Sequence, residues 1–172
     1  MTVGFTLWRI GVDAPEYTAD DLTGKGAEIT GGRWNRKGRP VLYTSTSIAL
    51  ACLETAVHLK QRGLPLNRYV VKITVPLDTW KARETLAATV LPVGWDALPE
   101  GKVSLDVGDA WLVGGTAPLL MVPSVIVPEE HNVLINPAHA LSKGITSTKV
   151  RKWLYDPRLL GQKLHWTKPL VR

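Results

Sequence analysis

The run Gly31-Gly32-Arg33-Trp34-Asn35, with Gly38 just beyond it and Tyr43 soon after, gathers residue types that can approach and hold an anion. Paired glycines let a backbone come close to a ligand, and an arginine beside them presents a planar fork of N–H donors suited to phosphate oxygens. The same residues also fit a plainer use, with the glycines in a turn, Arg33 solvated and Trp34 filling the core. Neither a Gly-x-x-x-x-Gly-Lys-Ser/Thr loop nor a Gly-x-Gly-x-x-Gly fingerprint is present, and Gly24-Lys25-Gly26 is too short for either. Conventional ATPase and Rossmann dehydrogenase chemistry therefore lose their support.

Glu54 is the second chemical signal. It follows Ile48-Ala-Leu-Ala-Cys-Leu53, a stretch apolar on every side that predicts a helix entering the core. At about 100° per residue, Leu50, Leu53 and Val57 form one stripe with Glu54 on its edge. A carboxylate there is partly buried and needs a cation or a hydrogen-bond donor, for which Arg33 is a candidate. The alternatives are a pair with His58 one turn on, or escape to solvent. Ser124, after Pro123 in an apolar run, also needs a partner; lacking a Gly-x-Ser-x-Gly elbow, it reads as a ligand-binding or backbone-bonded hydroxyl. His58, His131, His139 and His165 show no metal spacing, and the lone Cys52 reads as a small core residue. Asn132 and Asn136 flank a short apolar stretch, with Asn136-Pro137 first of all a turn signal.

Several elements must position these residues. Phe5 to Ile10 predicts a strand with Arg9 near its end, and Asp20 to Gly38 predicts a loop. Pro40 to Tyr43 resumes as a strand. Thr46 or Ser47 caps the Glu54 helix and Gly63 stops it. Arg68 to Val75 alternates, with Tyr69, Val71, Ile73 and Val75 on one face. Ser104 to Val113 reads as a helix weakened by Gly108. Leu119–Val122 and Ser124–Val127 predict two short strands or one bent at Pro123, and His131 to Asn136 one more. Without strict helix–strand alternation, a mixed α+β class fits better than a doubly wound sheet.

The chain has 172 residues, 45% of them hydrophobic, which suits one domain with one core. No apolar run nears the roughly 20 residues of a membrane span, and the first ten residues lack the order of a signal peptide, so a soluble cytoplasmic protein is expected. The net charge of +6 favours an anionic ligand or an acidic partner. Only Arg33, Arg36, Lys37 and Arg39 cluster, so a non-catalytic nucleic-acid-binding module is the weaker reading.

Arg33, Glu54 and Ser124 occur in the order that gives the RES family its name, and their surroundings agree. Leu7-Trp8-Arg9, Gly24 to Ala27, Gly31 to Asn35, Val41 to Ser45, Ala51 to Glu54, Gly108 to Trp111, Val122 to Ser124, Asn132, Asn136-Pro137 and Asp156 to Arg158 carry the likeness. The chain resembles the RES toxins of bacterial RES–Xre toxin–antitoxin pairs across about nine-tenths of its length, as one domain over residues 1–172, with 159–172 adding little. The resemblance implies an α+β fold similar to diphtheria-toxin-like ADP-ribosyltransferases, with small sheets and helices around an NAD cleft. It implies cleavage of the nicotinamide–ribose bond with water or phosphate as acceptor, or ADP-ribosyl transfer to a protein. NAD is then a consumed substrate, with no metal or resident cofactor. By the same match Glu54 opposes the positive charge that develops on the ribose, and Arg33 orients the dinucleotide. Tyr43 borders the nicotinamide, Ser124 bonds the nicotinamide end or Glu54, and Arg9 is a weaker candidate for the pyrophosphate. Expected partners are an Xre-like antitoxin, through which alone DNA is met, and a second toxin copy in a larger assembly.

Overall fold

Aromatic and β-branched residues alternating with polar ones make Phe5–Val12 the first strand, β1. The computed structural model describes residues 4–59 and 64–160. In it β1 pairs antiparallel along its whole length with β3 (Arg68–Val75), whose outer side carries β7 (Thr146–Trp153). A second antiparallel set joins β2 (Leu42–Ser45) to β6 (His131–Ile135) and β6 to β5 (Leu119–Pro123). The two-residue β4 (Glu84–Thr85) adds a parallel edge to β5. The order is β4-β5-β6-β2-β1-β3-β7, and the two sets meet through one residue pair, Trp8 opposite Ser45. The sheet is thus two small sheets forking from that pair.

Among the described residues four α-helices complete the α+β domain: α1 (Lys25–Thr30), α2 (Ile48–Ala56), α3 (Leu77–Lys81) and α4 (Lys102–Gly114). Because side chains alternate across a strand, each face of the sheet has its own packing. One face buries a continuous layer that includes Leu7, Leu42, Val71, Ile73, Leu119, Val133 and Ile135. The opposite face carries two separate clusters. Ala51 of α2 packs on Ile10 and Val70; on the α4 side lie Trp34, Trp95, Trp111, Leu120, Val122 and Leu134. Between them the strands present Ser45 and Asn132, which are cross-strand partners, with Tyr43 one alternation away. Among the described residues no helix is long and apolar enough to cross a membrane.

Several expectations change. The Asp20–Gly38 loop contains α1, whose first turn is supported by a Lys25–Glu28 ion pair. Ser124–Val127 is no strand: the Ser124 hydroxyl accepts the Ile126 and Val127 N–H groups that a ladder would need, and so turns the chain. The apolar stripe of α2 is not a core stripe throughout, since Leu50 is buried while Val57 lies past the helix and is exposed. Ser47 caps α2 as expected, accepting from the Leu50 N–H at 3.1 Å. Gly63, His165 and residues 161–172 lie outside the described residues. β7 escaped sequence reading because it is an edge strand with mostly polar, outward-facing residues.

Gly108 proves to be a contact and not merely a weak point in α4. A Cβ there would lie 1.8 Å from the Trp34 carbonyl oxygen, so the glycine lets α4 press against the Gly31–Asn35 loop. Gly108→Ala should therefore lower stability by about 2–3 kcal/mol, a drop of roughly 5–10 °C in Tm. Thermal unfolding followed by circular dichroism checks this, with Gly114→Ala as the control, because an added methyl there meets nothing nearer than 3.9 Å.

Candidate functional site

The hydroxyl cap at Ser47 starts α2 directly after β2, which hangs Glu54 over the ends of β5 and β6. Its Oε1 accepts two hydrogen bonds, from Ser124 Oγ at 2.7 Å and from Asn132 Nδ2. Ser124, fully buried, accepts from the Ile126 and Val127 N–H groups at 3.1 and 3.0 Å, so its one proton is directed to Glu54. That occupation leaves the serine no role as a nucleophile. Glu54 itself is half-buried, and among the described residues Oε2 receives no hydrogen bond from the protein.

Arg33 is not the partner of Glu54. Its Nη1 donates to the carbonyls of Trp95 and Ala97 at 3.1 and 3.0 Å, tying the glycine loop to the segment before α4. Two neutral donors already answer the Glu54 carboxylate, so burial there does not demand a cation. Neither the His58 pair nor full solvation of Glu54 is found. The remaining donors of Arg33, Nε and Nη2, make no hydrogen bond to the described residues, and the side chain is half-buried.

Tyr43 fastens the same loop. Its hydroxyl accepts from the Trp34 N–H at 2.9 Å and donates to Asn35 Oδ1 at 2.8 Å. Gly32 leaves room for it, since a Cβ would stand 2.7 Å from that hydroxyl. Burial is the largest influence on the phenol and pushes its pKa well above the ordinary value, against weaker opposing pulls from the Trp34 N–H and Arg33. The fully buried Asn35 then gathers the carbonyls of Ala27, Arg36 and Arg39. Trp34 fills the core as the plainer reading expects, stacked on Trp95 at 6.1 Å.

Sequence reading missed Asn35 as the hub of this loop, and Asn132 and Ser45 as neighbours of Glu54. It also missed Asp109. This nearly buried carboxylate accepts from the Arg36 N–H and from Arg36 Nη1, and faces Arg39 Nε at 3.4 Å. A buried carboxylate needs such partners, and its spacing after Gly108 was the available signal. Two of the four cations of the basic cluster, Arg36 and Arg39, are therefore committed to α4.

Arg9 stands next to the fork, yet alternation puts its side chain on the Leu7 and Val71 face, away from Tyr43 and Asn132. It makes one long contact, to the Asp21 carbonyl at 3.5 Å. Burial lowers its pKa below the ordinary arginine value, with Asp21 offsetting part of the effect. Cys52 packs, partly buried, among Ile10, Ala51 and Val70, and burial pushes its thiol up. An open cavity of about 450 Å³ lies on the far face between Leu22, Pro40, Ile135, Pro137 and Ile145, and none of the candidate site residues lines it.

The structure thus defines an α+β domain with a carboxylate held by neutral donors on a polar strip between two apolar clusters, beside an arginine-bearing glycine loop. The chain belongs to the RES-domain family, whose model matches residues 6–156. It is 58% identical over 160 residues to a protein of Sphingobium sp. (strain YBL2) named Prs ADP-ribosylating toxin, covering 93% of this chain and 98% of that one. It is 34% identical over 144 residues to a protein of Yersinia enterocolitica named Toxin Res, covering 83% and 93%. Among solved structures, a chain of the M. tuberculosis MbcT-MbcA toxin-antitoxin complex superposes with a TM-score of 0.61 over 92% of this chain and 87% of that one. At 17% identity that likeness is one of fold. The family read from the motifs is the family found.

Replacing Tyr43 by Phe leaves the Trp34 N–H and Asn35 Oδ1 without the partner they share. Stability should fall by about 1–3 kcal/mol, read as a lower urea midpoint at unchanged slope.

Proposed function

We propose that this chain is the toxin of a toxin–antitoxin pair and that it consumes NAD by breaking the nicotinamide–ribose bond, with water or phosphate as acceptor. The observation that carries the reading is the Glu54 carboxylate, held through Oε1 by Ser124 and Asn132 with Oε2 left for a ligand. Nicotinamide departs as a neutral molecule with the electron pair of the broken bond, so positive charge builds on the ribose as in glycoside cleavage. A fixed, half-buried carboxylate stabilises that charge most strongly where it develops. The acceptor oxygen then bonds to the anomeric carbon. Water gives ADP-ribose and a proton released to solvent; hydrogen phosphate gives an ADP-ribose phosphate.

The other residues take roles consistent with their contacts. Arg33 has Nε and Nη2 for phosphate or ribose oxygens while Nη1 keeps its loop in place. Tyr43 has its hydroxyl turned inward, so the ring, and not the hydroxyl, borders the cationic nicotinamide. Ser124 acts through Glu54. Arg9, the weaker candidate for the pyrophosphate, has its buried side chain on the far face of the sheet from Glu54 and takes no part in this site.

A second reading, ADP-ribosyl transfer to a protein, is favoured by the name of the 58% identical relative, an ADP-ribosylating toxin. Transfer draws on the same bond cleavage and differs in the acceptor alone. The nucleic-acid module loses its ground, because Arg36 and Arg39 of the basic cluster face Asp106 and Asp109. An antitoxin partner is supported by the toxin-antitoxin complex that shares the fold.

Incubation with NAD, with and without phosphate, followed by mass analysis of the products tests this. Glu54→Gln should lower kcat by about 100-fold or more, and Arg33→Ala should act mainly on KM. NAD that survives every acceptor sinks the reading, whereas labelled protein without bulk depletion selects transfer.

A further inference from the structure

We propose that Asn132, backed by Ser45, is a positioning residue for Glu54; the role rests on the NAD-cleaving reading given above. Ser45 and Asn132 face each other across β2 and β6, on the strip between the two apolar clusters. Ser45 Oγ donates to Asn132 Oδ1 at 2.7 Å. That bond decides which end of the amide is which, because Oδ1 is taken by a hydroxyl donor and the NH₂ end is left to face a carboxylate, which only accepts. Asn132 Nδ2 then donates to Glu54 Oε1. The chain of donors runs in one direction, from Ser45 through Asn132 to Glu54.

A packing role alone does not account for this arrangement. Ser124 and Asn132 reach Glu54 from the end of β5 and from β6, and both choose the same oxygen. One bond to Oε1 would let the carboxylate turn about it; two donors, one on β6 and one just past the end of β5, set its place. Ser45 and Ser124 are 3% and 0% exposed, so water does not compete for the bonds behind the carboxylate. Ser45 is also the residue opposite Trp8 at the fork. The relay therefore ties the carboxylate to the one point where both small sheets are in register, and leaves Oε2 as its free atom.

Loss of the relay should weaken charge stabilisation in the transition state more than substrate binding, which uses Arg33. Asn132→Ala should lower kcat by about 10- to 100-fold, the scale of a small misplacement of a reacting group, with KM little changed. Asn132→Asp keeps the volume yet sets an anionic oxygen against Oε1, so it should be worse than Ala. A packing role would rank the two variants the other way. Ser45→Ala should give a smaller loss, again in kcat.

An activity-independent readout is the Asn132 side-chain amide in ¹⁵N–¹H spectra, which should move in Glu54→Gln and in Ser45→Ala. Thermal melting verifies that each variant is folded, and if Asn132→Ala is not, Ser45→Ala carries the kinetic arm. A folded Asn132→Ala chain with kcat within about twofold of the parent overturns the proposal, as does an amide signal indifferent to Glu54→Gln. If the unsubstituted chain consumes no NAD, the functional reading fails by itself. The amide signal then still decides whether Asn132 holds Glu54.

Discussion

A carboxylate drawn halfway out of water must be given donors, and at Glu54 both are neutral and both come from distant parts of the chain. Meeting that demand shapes much of the domain. Ser124 can offer its proton because its oxygen is saturated by two backbone N–H groups, which in turn bends the chain after β5 and ends the strand. Asn132 can offer its amide because Ser45, one strand over, holds the other end. The polar strip between the α2 and α4 clusters exists where these groups sit, since apolar packing across it would strand them without partners.

The glycine loop is built on a second, separate constraint. Asn35 is fully buried and collects three backbone carbonyls, while Tyr43 bridges it to the Trp34 N–H. Asp109 binds the following arginines, and Gly108 removes the Cβ that would keep α4 at a distance. Little of this network touches Arg33 itself. Its effect is to hold the loop that carries the Arg33 guanidinium, with one nitrogen anchored to Trp95 and Ala97 and two others without a hydrogen bond to the described residues.

These two constructions stand on opposite sides of the same strip, Glu54 on the helix after β2 and Arg33 on the loop before it. The intervening β2 carries Tyr43 and Ser45 on one face by simple alternation. The arginine and the carboxylate thus come from one short stretch of chain.

The sequence by itself determined the elements whose signal is local. β1, β3, α4 and β6 were legible from periodicity, and the α2 cap from a hydroxyl at the right place. The motifs around Arg33, Glu54 and Ser124 also carried the family, because each is a short run of particular residues. α1 was hidden by its flanking glycines, and β7 by the polarity of an exposed edge. Tertiary structure alone decided who partners whom. The donors of Glu54 lie 70 and 78 residues away along the chain, and Arg33 binds carbonyls 62 and 64 residues on. A hydrogen bond depends on distance and direction in space, and residue type states only that a partner is needed.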